Sequence, residues 1–250
     1  MGQRAPDFAA NVSNASSERS ALNISRTVGG DATLSQGYFL AIAGNIGVGK
    51  TELTNRLSAE LGWLAYYEPV IQNPYLDPFY ADMMRWSFHL QIYFLSERFK
   101  AQAEIGKSAM PFIQDRTIYE DAEIFARVLH EQGSMTTVDY ENYTALFHIL
   151  VSYLRKPDLI IYLKASPNVL MERIARRGRP SEQGIGVDYI TRLNRAYDGW
   201  MTRARAELEV LEIDTDQVPL QGETEAFRLL VENLKRRYPR QSELALDSGA

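Results

Sequence analysis

Three glycines in six positions, Gly44, Gly47 and Gly49, run directly into Lys50 and Thr51, and they constrain this chain more than anything else in its 250 residues. The segment Gly44-Asn-Ile-Gly-Val-Gly49-Lys50-Thr51 fills the phosphate-loop pattern completely. Glycines put no Cβ in the way, so successive backbone N–H groups can converge on an anion. A helix beginning at Lys50 would aim its positive end at the same point. The flanks agree with this reading. Tyr38-Phe-Leu-Ala-Ile-Ala43 is an unbroken apolar run, as a strand covered on both faces requires. Leu53, Leu57 and Leu61 then recur at helical spacing before Gly62. Asn45, Ile46 and Val48 complete the cradle, Lys50 reaches the outer phosphates of a nucleotide, and the Thr51 hydroxyl suits Mg²⁺.

Beyond the loop, apolar runs alternate with helical patterns. Strands are expected at Trp63–Tyr67, Pro111–Gln114, Leu159–Leu163 and Val210–Ile213. Helices are expected near Met83–Ile105, Asp121–His130, Val138–Leu154, Asn168–Arg176, Asp188–Leu208 and Glu223–Arg237. Such alternation means one α/β domain, over residues 38–240, with a parallel sheet covered on both faces. Residues 1–37 are rich in Ser, Asn, Ala and Gly and show no period, so they read as a disordered extension. Residues 241–250 read as a flexible tail.

Composition removes several classes of function. With no cysteine, thiolate metal sites, iron–sulfur clusters and cysteine nucleophiles are excluded. His89, His130 and His148 are not paired at zinc-ligand spacing. No apolar run approaches the roughly eighteen residues of a membrane span. The net charge of −5 argues against a nucleic-acid partner. A cytoplasmic protein with small-molecule ligands is the expectation.

Ligands of a parallel sheet gather at the carboxyl ends of its strands. Two of those ends carry chemistry besides the cradle. Glu68-Pro69 offers a carboxylate at a rigid exit, either a general base for an attacking hydroxyl or an ordinary loop glutamate. Asp115-Arg116-Thr117 pairs a Mg²⁺-directed carboxylate with a guanidinium suited to phosphate, or else forms an ion pair at a helix start. The run Arg173-Ile-Ala-Arg176-Arg177-Gly178-Arg179-Pro180-Ser-Glu182-Gln-Gly184 is more than a basic face. Its arginines lead into a Gly/Pro-bearing segment between helices, the form of a closing lid that neutralises phosphoryl charge. No guanine-reading Asn-Lys-x-Asp or Thr-Lys-x-Asp segment occurs, which leaves small kinases as the class.

Taken in order, Gly44–Thr51, Tyr67-Glu68-Pro69, Gln91, Asp115-Arg116-Thr117 and Arg173–Gly184 resemble the deoxynucleoside kinase family over about Phe39 to Tyr238. Asn73-Pro74-Tyr75 and the run Asp115–Asp121 are most similar to the bacterial deoxyadenosine/deoxyguanosine kinase branch. The resemblance implies a P-loop kinase fold: a five-stranded parallel sheet of order 2-3-1-4-5, flanked by helices, with an arginine-rich lid. It further implies ATP with Mg²⁺, a deoxynucleoside acceptor and a homodimer. By the same likeness, Glu68 activates the 5′-hydroxyl beside Arg116, while Tyr80 and Glu182 hold the 3′-hydroxyl. Gln91 reads the base edge and Phe125 stacks on the base. Arg173, Arg177 and Arg179 are the lid cations, with Arg173 also against the ATP adenine. Thr51 and Asp115 serve the metal, although Asp115 stands where many relatives carry Glu.

Arg98 and Asp121 fall where purine- and cytosine-directed relatives place a charged pair beside the base. They imply either a purine acceptor, deoxyadenosine slightly ahead of deoxyguanosine and with deoxycytidine also open, or only a structural ion pair between helices. Two rivals make different demands. A nucleoside monophosphate kinase needs acceptor-side arginines where this chain has the like-charged Glu68. A non-catalytic nucleotide switch needs no joint set of Glu68, Arg116 and Arg179, and it would fail a phosphoryl-transfer assay.

Overall fold

The computed structural model describes residues 37–67 and 73–239. The expected extension and tail lie outside them, Gly37 excepted, and so does Glu68. Five parallel strands form one sheet: β1 (Phe39–Gly44), β2 (Leu64–Tyr66), β3 (Phe112–Asp115), β4 (Leu159–Lys164) and β5 (Val210–Asp214). Their order is β2-β3-β1-β4-β5, with Leu40 opposite both Ile113 and Leu159. β1 is buried along its whole length, which explains why its sequence does not alternate.

Helices cover the sheet. α1 (Lys50–Leu61) lays Leu53, Leu57 and Leu61 on it, and Leu57 is completely buried. α2 (Leu76–Ala81) and the long α3 (Met83–Lys107) follow β2. After β3 come α4 (Ile118–Glu120), a π-helical segment (Asp121–Ala126) and α5 (Arg127–Glu131) in direct succession, then α6 (Thr137–Val151). α7 (Pro167–Arg177) and α8 (Val187–Ala204) separate β4 from β5, and α9 (Glu225–Arg237) closes the domain. α8 buries Ile190, Leu193, Tyr197 and Trp200, the spacing of one helical face.

Departures from expectation have local causes. α2 was not anticipated, because six residues with Pro78 inside them show no clear period. The proline is tolerated because it sits in the first turn, where its missing N–H would have had no helical partner. The helix after β3 starts at Ile118 rather than Asp121, because Thr117 stays extended and the Glu120 carboxylate accepts its backbone N–H at 2.9 Å. α6 stops at Val151 and α8 at Ala204, each one turn short of the sequence pattern.

Candidate active site

The ends of β1 and β3 meet over a cavity of about 780 Å³. On one side lies the loop from Gly44 to Gly49. Gly47 has φ 84°, and a Cβ there would meet Ile174 Cγ1 of α7 at 2.8 Å, so only glycine closes this turn against the helix. Asn45 ties the loop to α8. Its side-chain amide donates to Ile190 O at 3.0 Å and to Asn194 Oδ1 at 2.6 Å, while its own oxygen accepts from Ile46 N. The Asn45 side chain is thus committed to the scaffold, and it is the backbone of the loop that faces a ligand. Val48 is buried, whereas Ile46 and Gly49 line the cavity. Lys50 Nζ donates to Gly44 O at 2.8 Å and Asn45 O at 3.0 Å, which keeps the ammonium inside the cradle.

The Thr51 hydroxyl donates to Asp115 Oδ2 at 2.5 Å. Asp115 is 2 % exposed, and its Oδ1 has no hydrogen-bond partner among the described residues. A hydroxyl and a carboxylate this close, with one buried oxygen spare, fit a hard divalent cation that fills its remaining positions with water and phosphate. No cluster of three or more His, Cys, Asp or Glu that could hold a metal by itself exists among the described residues.

Arg116 leaves β3 with φ 64°, the one positive φ at a non-glycine among the described residues. This left-handed conformation costs on the order of 1–3 kcal/mol. Several contacts hold it. Arg116 N donates to Ile42 O at 3.1 Å, and Arg116 O accepts from Arg98 Nη1 at 3.1 Å. Its guanidinium lies 4.4 Å from the Phe125 ring centre, and its Nε lies 3.8 Å from Glu120 Oε1.

The far end of the cavity is apolar, formed by Phe79, Leu90, Phe94 and Phe125. Gln91 is 2 % exposed, and its amide oxygen lacks a hydrogen-bond partner among the described residues. Asp121 also faces this end, from the first turn of the π segment. Arg98 does not line the cavity. It stands behind Asp121, its Nε 2.5 Å from Asp121 Oδ2, with both side chains 2 % exposed. Behind that pair, burial drives the Tyr143 hydroxyl well above its ordinary range, and the Asp121 charge adds to the effect.

The arginine run takes up the remaining wall. Arg173 is fixed to the domain body, donating to Thr215 Oγ1 at 2.9 Å and Thr215 O at 3.0 Å. Arg177 grips Glu182 through two contacts of 2.6 and 3.1 Å, and Arg179 approaches the same carboxylate at 3.5 Å. Glu182 is therefore engaged by arginine here, while Tyr80 lines the cavity nearby. Arg176 of the expected lid also lines the cavity; sequence reasoning missed Tyr189, which lines it too, and the buried Glu120. The Thr117-x-x-Glu120 spacing of a capping box could have marked Glu120. Tyr189 carries no signal beyond its place on an amphipathic helix.

A glycine cradle at the end of a parallel strand, with a Thr–Asp pair beside it and a cavity of about 780 Å³ next to both, defines a P-loop phosphotransferase. The model of the deoxynucleoside kinase family matches residues 40–237, and the chain belongs to that family, whose members phosphorylate a hydroxyl group. It is 40% identical to the deoxyadenosine/deoxycytidine kinase of Bacillus subtilis (strain 168), over 78% of this chain and 90% of the relative. The deoxyadenosine kinase of Dictyostelium discoideum is 41% identical over 72% of this chain and 73% of its own length. The deoxyguanosine kinase of the same Bacillus strain is 37% identical over 71% of this chain and 86% of its own. Among solved structures, the M. mycoides deoxyadenosine kinase with dCMP and dCDP superposes with a TM-score of 0.72 at 29% identity, covering 79% of this chain and 99% of the other.

Proposed function

We propose that this kinase transfers the γ-phosphoryl group of ATP, in the presence of Mg²⁺, to the 5′-hydroxyl of a purine deoxynucleoside. Deoxyadenosine is preferred over deoxyguanosine, with deoxycytidine next. The observation that carries the reading is that the buried Gln91 amide and the Asp121 carboxylate line the same cavity as the apolar Phe79, Leu90, Phe94 and Phe125. The carboxylate accepts from an exocyclic amine or ring N–H, and the amide supplies a donor and an acceptor. Thymine presents a carbonyl and a methyl group at the corresponding edge, so it offers this carboxylate no donor. The relatives named for deoxyadenosine, deoxyguanosine and deoxycytidine point the same way.

In this reading Lys50 and the loop amides bind the donor phosphates, and Arg173, beside the end of β5, lies against the donor base. Thr51 and Asp115 would hold Mg²⁺, which supplies charge neutralisation at the phosphate oxygens. Glu68 accepts the proton of the 5′-hydroxyl, Arg116 steadies that oxygen and the phosphates, and Phe125 stacks on the base. Arg177 and Arg179 form a lid: they exchange Glu182 for the transferring phosphoryl group, and the released carboxylate joins Tyr80 at the sugar 3′-hydroxyl. Positioning dominates, with proton removal adding about 10²–10⁴-fold.

Two further parts of the proposal concern context. Val138, Leu146, Ile149 and Tyr153 leave an exposed apolar stretch on α6 and the turn after it, which suits a homodimer. No helix among the described residues is long and apolar enough to cross a membrane, and we place the enzyme in the cytoplasm with its ATP. Steady-state rates on the four deoxynucleosides and their monophosphates test the function. Thymidine or a monophosphate as best acceptor overturns the acceptor assignment, and Glu68→Gln retaining most of the turnover overturns the base.

A further inference from the structure

Glu120 is completely buried, yet none of the steps above uses it. Its Oε2 accepts from Thr117 N at 2.9 Å, which is the ordinary duty of a glutamate three residues into a helix start. Such glutamates normally face water. This one turns its other oxygen into the protein, where Oε1 accepts from the Tyr197 hydroxyl at 2.8 Å and from Gly44 N at 3.3 Å. Gly44 is the first residue of the phosphate cradle, and Tyr197 belongs to α8, which also clamps the cradle through Asn45. The same oxygen lies 3.8 Å from Arg116 Nε. One carboxylate therefore joins the end of β1, the end of β3 and α8 directly beneath the cavity.

We propose that Glu120 is a positioning residue for phosphoryl transfer, fixing the Arg116 guanidinium relative to the mouth of the phosphate cradle. This rests on Arg116 serving the phosphates, as read above. Arg116 sits on a strained left-handed residue at a strand end. Its backbone is held by Ile42 and Arg98, but those contacts do not orient the guanidinium. Phe125 packs against the guanidinium face, and Glu120 places a negative charge 3.8 Å from its Nε. Burial raises the pKa of Glu120, and the charges of Arg116 and Lys50 oppose that shift without cancelling it.

The test compares Glu120→Gln, Arg116→Lys, the double variant and Tyr197→Phe, each checked for a cooperative melt. Glu120→Gln is expected to lower kcat by about 10²-fold, the scale of an ångström of misplacement, with the KM for deoxynucleoside changed less than threefold. Because Glu120 acts through Arg116, the double variant loses no more than the worse single variant. Tyr197→Phe, which removes one anchor and no charge, lowers kcat by about 2–10-fold. A folded Glu120→Gln enzyme with wild-type kcat, or losses that multiply in the double variant, overturns the inference. If Glu120→Gln does not fold, Tyr197→Phe decides, and wild-type kcat there overturns it as well. Wild-type kcat in Arg116→Lys is a separate result, and it sinks the role of Arg116 instead.

Discussion

Removing the Asp121 carboxylate should damage stability and base choice together, by amounts the structure sets. Arg98 and Asp121 form a 2.5 Å ion pair with both side chains 2 % exposed. Asp121→Ala breaks this buried ion pair by removing one of its members, a change that costs about 3–5 kcal/mol. For a domain of this size each kcal/mol lowers Tm by about 2–4 °C, so the melt should fall by roughly 6–20 °C. Replacing both partners, as Arg98→Met with Asp121→Leu, removes both charges and should recover more than half of that loss. Recovery stays incomplete because Arg116 O loses the Arg98 donor, at a cost of about 1–3 kcal/mol. Scanning calorimetry reads the stability. Rates with deoxyadenosine and thymidine read the choice, and discrimination should fall about 5–150-fold in both variants. An Asp121→Ala protein melting within about 2 °C of wild type would refute the reasoning, since the pair would then be worth less than a surface contact.

Other expectations follow from single contacts. Gly47→Ala forces a Cβ to 2.8 Å from Ile174 Cγ1 at φ 84°, and should weaken ATP binding and lower Tm together; nucleotide titration and melting check this. Chelating Mg²⁺ should abolish transfer without lowering Tm, and Asp115→Asn should raise the Mg²⁺ needed for half-maximal rate about tenfold or more. Leu57→Ala, at a completely buried site on α1, should cost about 2–5 kcal/mol by denaturant unfolding. Glu120 has a raised pKa in the folded protein, chiefly from burial, so the folded state holds its proton to higher pH than the unfolded state. Its contribution to stability therefore declines as pH rises from the ordinary carboxylate range through the raised value. Because glutamine does not titrate, the melting difference between Glu120→Gln and wild type should shift in favour of the variant over that window. A difference independent of pH would contradict the raised pKa.

Strand positions and the cradle were legible because they depend on short-range chemistry. An apolar run buried on both faces, three glycines and a leucine every four residues need no tertiary information. The strand order came from the family likeness rather than from any residue pattern, since sheet neighbours such as Leu40, Ile113 and Leu159 are far apart in the chain. Arg98 shows the limit within the site. Its pairing with Asp121 was expected, but its place behind the carboxylate, out of the cavity, depends on how α3 packs on the π segment. Glu120 and Tyr189 escaped notice for a related reason. A glutamate next to a helix start and a tyrosine on an amphipathic helix look ordinary until burial is known.

The π segment at Asp121–Ala126 has a consequence for how such enzymes change. A wider turn absorbs one additional residue, so the stretches before and after it can differ in rotational phase without a break in the helix. The segment itself turns Asp121 and Phe125 toward the cavity, while Val128 and Leu129 downstream stay locked in the interior. Deleting one residue there would tighten the coil and swing the segment's own side chains around the axis. The acceptor wall is therefore mounted on an adjustable joint, through which selectivity can be retuned while the scaffold remains untouched.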